Sequence, residues 1–463
     1  MGIDKCPTKY LLTEMKLTVP ALEIDPKEGF SSDKDIFKRE QFGRNILNVI
    51  ENINDELVLA IDAPWGEGKT TFIKMWRGML AKEEYTSIYF DAFENDYQDD
   101  PFLAIAAEIY SIIDDDKEST KSHFKEKTIS ALKIFGRVGL RLGIKAMTAG
   151  VLDDTIFEET NTIKDVSKEA SDLVDSYVNQ RLENAKQDKQ NLLEFKRTLN
   201  NLASDIGDDK PLIFIIDELD RCKPPFALAI LENIKHLYSV ENIVFVLVMN
   251  RTQIEESVRC EYGSGVEASK YLQKFVHLWA SLPKRNDDYK HDAEEYLLNC
   301  LDRMDFVAVN QTRKTAREIY KELVVHYNLS LREIERSLTN YSLLYNMSND
   351  NLPFYHQQMQ VYLSIIKVIN PEIYRELSNN SISYQKVVEE TLLETLEINF
   401  LGIDNLLTFS LKCCLLSKEE MHEFIDKATE YPQDKSNMIQ KYDMAKSCLE
   451  HTLKWMNTFS TAY

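Results

Sequence analysis

The sequence predicts an α/β fold, a parallel sheet flanked by helices, with a long helical insert and further helical regions after the sheet. Three observations lead there. Bounded apolar runs recur at Leu57 to Ile61, Leu212 to Ile216 and from Asn242 onward ("NIVFVLVMNRTQI"). They are apolar throughout rather than alternating, as strands covered on both faces are. Helical spacing fills the stretches between them, and beyond about residue 288 only helical patterns remain.

The chain has 463 residues, which at roughly 100–200 residues per domain predicts two to four domains. Hydrophobic residues make up 44% and charged residues 28%, enough to bury a core. The net charge, 55 − 76 = −21, opposes non-specific binding to nucleic acid. No uncharged apolar window is long enough to span a membrane, and the N-terminus lacks the pattern of a signal peptide. Seven scattered cysteines without a CxxC pair point to reduced thiols in the cytoplasm, and the eight histidines show no metal-ligand spacing.

The first strand leads directly into "APWGEGKT", Ala63 to Thr70, and then into the helical run "TFIKMWRGML". Strand, glycine-containing loop and helix in this order form a phosphate-binding loop. Ala63 stands where such loops usually begin with glycine. Pro64, Trp65, Gly66, Glu67, Gly68, Lys69, Thr70 and Thr71 are the candidate nucleotide-binding residues. Gly68 has to be small so that backbone N–H groups can close around a phosphate, and Gly66 relieves the same crowding. Lys69 brings charge to the β- and γ-phosphates, the Thr70 hydroxyl can ligate Mg²⁺, and the helix N-terminus adds its partial positive charge.

Such a loop needs a carboxylate on a neighbouring strand to face the metal. "PLIFIIDELDRC" supplies it, with Asp217 at the carboxyl end of the strand, where ligands bind in open α/β sheets. Glu218 is the group to polarise an attacking water, or else a solvated loop acid. Arg221 is either a structural ion-pair partner or a contact to a neighbouring subunit's γ-phosphate. Asn250 ends the third strand, where it either orients the lytic water or forms a turn.

With these residues in place, the sequence resembles the KAP family of P-loop NTPases. The resemblance rests on "DKDIFKREQFGRNILNVI" before the loop, "PWGEGKT", "IYFDAFENDYQDDPFLAIAAEI", "IIDELDRC", "KYLQKFVHLWASLP" and "SLREIERSLTNY". It spans about residues 30 to 345. Two departures stand out: Phe90-Asp91-Ala92-Phe93 where the family has Phe-Asn-Ala-Trp, so that Asp91 is a carboxylate in place of an amide, and Leu331 where proline is usual. The resemblance implies ATP binding and hydrolysis, a helical lid with Arg332 as a sensor arginine, and oligomerisation. Bacterial relatives include proteins that exclude or resist phage.

The expected organisation is an N-terminal segment 1–30, a nucleotide-binding core 31–287 with a helical insert at about 114–206, a helical lid 288–350 and an all-α domain 351–463. Within the insert, Lys133, Arg137, Arg141 and Lys145 recur every fourth residue as one basic helical stripe. That stripe docks on an acidic surface of its own or a neighbouring chain, lies on an anionic membrane surface, or binds nucleic-acid phosphates. Residues 159–206 read as a long polar helical segment, and the tail as a partner-binding helical domain without a chemical cluster. The function expected is an Mg²⁺-dependent ATPase acting as an oligomeric switch or assembly subunit in anti-phage defence, with its effector elsewhere. The alternatives are a structural ATP-binding scaffold or membrane-surface interaction protein with negligible turnover, and, more remotely, a kinase.

Overall fold

The computed structural model describes residues 15–25, 27–53, 56–98, 100–114, 117–132, 169–208, 210–238, 240–287, 290–308, 311–348, 352–393, 406–429 and 431–458. The basic stripe Lys133, Arg137, Arg141 and Lys145 lies outside them. The chain divides into two compact units: Ile24–Pro64 with Lys69–Pro283, and Trp65–Gly68 with Lys284–Tyr463 and the N-terminal residues up to Glu23.

The first unit is built on five parallel strands in the order β2-β3-β4-β1-β5. They are β1 (Leu57–Asp62), β2 (Ser87–Asp91), β3 (Leu212–Asp217), β4 (Ile243–Met249) and β5 (Leu278–Ser281). Two cores lie on opposite sides of the sheet, and successive strand residues alternate between them. Leu57, Leu59 and Ile61 join Phe72, Ile73 and Trp76 on one side, while Val58 and Ala60 join Phe102, Phe195 and Phe214 on the other. This double coverage is why the strands carry no polar alternation.

The first side is covered by α1 (Glu40–Glu51) and α2 (Lys69–Lys82). The other is covered by α3 (Pro101–Ser111), α4 (118–132 as described), α5 (Glu169–Gly207), α6 (Pro224–Asn233), α7 (Arg251–Tyr262) and α8 (Ala268–Leu272). Asp100 opens α3 by accepting from the N–H groups of Phe102 and Leu103, with Pro101 as the first helical residue. Of the long polar segment expected over 159–206, the part from Glu169 onward is helical, as α5, and residues 159–168 lie outside the described residues.

Among the described residues, the regular structure of the second unit is helical apart from a two-stranded ribbon, β6 (Asn286–Asp287) with β7 (Lys290–His291), which is too short to leave a periodic signal. Helices α9 (Asp292–Arg303), α10 (Gln311–His326) and α11 (Leu331–Met347) precede α12 (Phe354–Ile369). A capping box between Ser330 and Glu333 starts α11. Helix α12 is buried along nearly all of its length within the core of this unit. Then come α13 (Pro371–Ser378), α14 (Tyr384–Glu390), α15 (Leu406–Leu415), α16 (Lys418–Ala428), α17 (Pro432–Ala445) and α18 (Cys448–Met456). The tail run "MAKSCLEHTLKWM" is helical on both sides of Lys446 and Ser447, where α17 ends and α18 begins. Cys448 then packs its thiol 3.5 Å from that of Cys414. Among the described residues no helix is long and apolar enough to cross a membrane.

Candidate functional site

The site forms where three neighbouring strands end. β1 stops at Asp62, whose Oδ1 accepts the Arg251 N–H at 2.8 Å, and the Ala63 N–H donates to the Met249 carbonyl at 3.3 Å. The loop from Ala63 to α2 is thereby tied to the end of β4. Gly66 and Gly68 have φ of 81° and 78°, the left-handed region that glycine adopts without penalty. Helix α2 starts at Lys69, so the unpaired N–H groups of its first turn open onto the loop.

Lys69 folds back over its own loop. Its Nζ donates to the carbonyls of Ala63 at 2.8 Å and Pro64 at 3.2 Å, and the residue is only 8% exposed. Burial lowers its pKa, and the charges of Asp220, Asp217 and Glu218 oppose that fall. The ammonium is held ready beside three carboxylates with only weak, neutral acceptors of its own.

Asp217 is wholly buried. Its Oδ1 accepts the Glu218 N–H at 2.8 Å, and its Oδ2 accepts the Tyr89 hydroxyl at 3.2 Å. Burial raises its pKa, while hydrogen bonds from Thr70, the Glu218 backbone and Tyr89 favour the ionised form. Thr70 Oγ1 also donates to Glu218 Oε1 at 3.3 Å. A hydroxyl and a buried carboxylate side by side are hard oxygen donors of the kind Mg²⁺ takes, so Thr70 and Asp217 fit that ion.

Glu218 sits at φ 61°, a left-handed conformation that costs a non-glycine residue about 1–3 kcal/mol. It turns the chain off β3 and into the short turn Leu219–Arg221. Its carboxylate forms an ion pair with Arg221 Nε. Burial raises the Glu218 pKa, and Arg221 is the chief opposing charge. Of the two roles expected for Arg221, the ion pair is the one made within this chain.

Asn250 is the N-cap of α7, its side-chain oxygen accepting the Thr252 N–H at 3.0 Å. Asp91 is in register with Asp217 on the adjacent strand, and its Oδ1 accepts the Glu94 N–H at 2.9 Å, starting the turn that follows β2. The structure thus brings Lys69, Thr70, Asp217 and Glu218 together, with Asp91 alongside.

In the helical unit, which takes in Trp65–Gly68, Glu67 pairs with Lys284 at 2.9 Å. A Cβ added at Gly66 would stand 2.9 Å from Arg332 Cβ, so the second glycine requirement of the loop comes from a close neighbour as well as from φ. Arg332 itself is exposed near the start of α11, while Leu331, in the usual proline position, is buried.

Sequence reasoning missed Tyr89. The available signal was its position two residues before Asp91, which sets both side chains on one face of β2. It also missed Arg39, which is 3% exposed and ties the start of α1 to the Pro283 carbonyl at 3.1 Å.

Residues 39–348 match the model for the KAP family P-loop domain. A search of curated proteins gives no match. Among solved structures, that of the Aeropyrum pernix ORC2 protein (ADPNP-ADP complexes) aligns with 95% of this chain and 99% of that chain, at 12% identity and a TM-score of 0.37.

Proposed function

The chain belongs to the KAP family of P-loop nucleoside triphosphatases, and from that premise we propose that it binds ATP with Mg²⁺ and hydrolyses it to drive an oligomeric switch. The observation that carries the reading is the buried Lys69 ammonium. It is held by two loop carbonyls at 2.8 and 3.2 Å, beside a connected set of Thr70, Asp217 and Glu218. A lysine resting on neutral carbonyls exchanges them readily for phosphate oxygens.

In this reading the loop from Pro64 to Thr71 cradles the phosphates with its N–H groups, and Lys69 bridges the β- and γ-phosphates. Thr70 and Asp217 would hold the metal. Mg²⁺, when bound, neutralises charge on the β- and γ-phosphates. Glu218 takes the proton of the attacking water. Asn250, whose oxygen serves the cap, orients that water through Nδ2. Arg332 stabilises charge on the transferring phosphoryl group. Because Glu218 is tied to Thr70 and Arg221, turnover requires these bonds to rearrange when nucleotide and metal enter. The switch would serve a separate effector in a bacterial anti-phage system. Support for that part is the family resemblance.

Phosphate release from ATP without an added acceptor, with Mg²⁺ and with EDTA, tests the reading. Wild type should release phosphate only with Mg²⁺. Lys69→Ala should weaken ATP binding ~30-fold or more, from the loss of about 2–5 kcal/mol for a buried charge contact. Equal binding by the two proteins sinks it, and release that needs an acceptor points to a kinase. A second reading, a nucleotide-holding scaffold with negligible turnover, is favoured by the Glu218–Arg221 ion pair, which engages the proposed base.

A further inference from the structure

Tyr89 lies on β2, the edge strand, one strand away from Asp217. It is half-buried against the core formed with α1 and α2. Its register partner on β3 is Ile215, so the ring reaches two residues toward the carboxyl end to place its hydroxyl 3.2 Å from Asp217 Oδ2. The Arg77 guanidinium, from α2, stands 5.2 Å from the centre of the ring. Arg77 Nε is buried without a hydrogen-bond partner, so the aromatic face is the compensation this cation finds there. Thr70 and Arg77 share α2. The chain of contacts Arg77–Tyr89–Asp217 therefore spans the helix that carries the phosphate loop and the strand that carries the acid.

Packing alone does not call for a hydroxyl at this position, since phenylalanine would fill the same space. The hydroxyl's one hydrogen bond given by the structure goes to a carboxylate with no solvent exposure. A buried carboxylate oxygen that loses such a donor has no water to replace it. The other oxygen accepts the Glu218 N–H at 2.8 Å and Thr70 also hydrogen-bonds the carboxylate, so loss of the Tyr89 hydroxyl removes the donor that β2 supplies to Oδ2.

We propose that Tyr89 is a positioning residue that fixes the Asp217 carboxylate for the metal, with Arg77 fixing the Tyr89 ring. The inference rests on the reading of Asp217 as the metal-side acid. Partners of this kind, one step out from a metal ligand, set affinity by about 10–100-fold.

The test is the Mg²⁺ dependence of binding of a fluorescent ATP analogue to the full chain, wild type against Tyr89→Phe, with analogue affinity in EDTA and the thermal midpoint measured on the same samples. The midpoint of the Mg²⁺ titration should rise ~10-fold or more in Tyr89→Phe. Affinity in EDTA should stay within about twofold. An unchanged Mg²⁺ midpoint overturns the inference, as does a loss of analogue affinity that is equal with and without the metal. If Tyr89→Phe does not fold, Arg77→Gln keeps the hydroxyl and frees the ring. A rise in the Mg²⁺ midpoint then supports the inference and no rise overturns it. A wild type that binds no analogue under any condition overturns the proposed function as well, whereas a wild type with normal Mg²⁺-dependent binding isolates failure to Tyr89.

Discussion

The ends of β3 and β4 invite comparison. Leu212–Ile216 of β3 and all of β4 are apolar, the two strands pair in register from Leu212↔Ile243 to Ile216↔Leu247, and at the same edge of the sheet these runs give way to Asp217 and to Asn250. At β3 the chain turns sharply, with Glu218 in a left-handed conformation, and the Asp217 and Glu218 carboxylates meet Thr70, Tyr89 and Arg221. At β4 the chain passes straight into α7, and the Asn250 oxygen caps that helix. The strand end fixes where a side chain lies, but the backbone of the next residue decides whether it faces a site or closes a helix. The strained Glu218 is the visible mark of the first kind of ending.

The contrast is sharpest in turnover. Glu218→Gln should lower the rate of phosphate release by ~10²–10⁴-fold, the usual worth of a general base, with nucleotide binding retained. Asn250→Asp keeps a capping oxygen and removes the amide donor, so steady-state kinetics should show a fall of only about tenfold from the lost hydrogen bond, with the thermal midpoint unchanged. A loss as large as that of Glu218→Gln would erase the distinction between the two strand ends.

A smaller effect belongs to Arg221. Burial raises the Glu218 pKa and the Arg221 charge opposes it. In Arg221→Ala the pKa rises further. A base is lost as pH falls through its pKa, so the acid limb of the pH–rate profile should move to higher pH, with a few-fold lower rate at neutral pH. A collapse of the rate at all pH values would instead mean that Arg221 acts on nucleotide directly.

The sequence made β1, the phosphate loop, α2, β3 and β4 legible because each signal is local: an apolar run, a glycine pair, a lysine and threonine, an acid at a strand end. The partners of these groups were not legible. Tyr89 meets Asp217 across 128 positions of chain, and only the pairing of β2 with β3 brings them together. Asn250 suits a water as well as a turn, because capping and water-orienting draw on the same amide chemistry. The ribbon β6–β7 is two residues long on each side, below what any period can show.

The central claim, that Glu218 turns a nucleotide-holding site into a hydrolysing one, is tested most directly by the nucleotide and mass found with purified Glu218→Gln beside wild type after incubation with Mg²⁺ and ATP. Wild type should yield ADP and phosphate, while the variant retains intact ATP in a larger assembly. Equal hydrolysis by both proteins, or intact ATP on both with no phosphate released at any protein concentration, would contradict it.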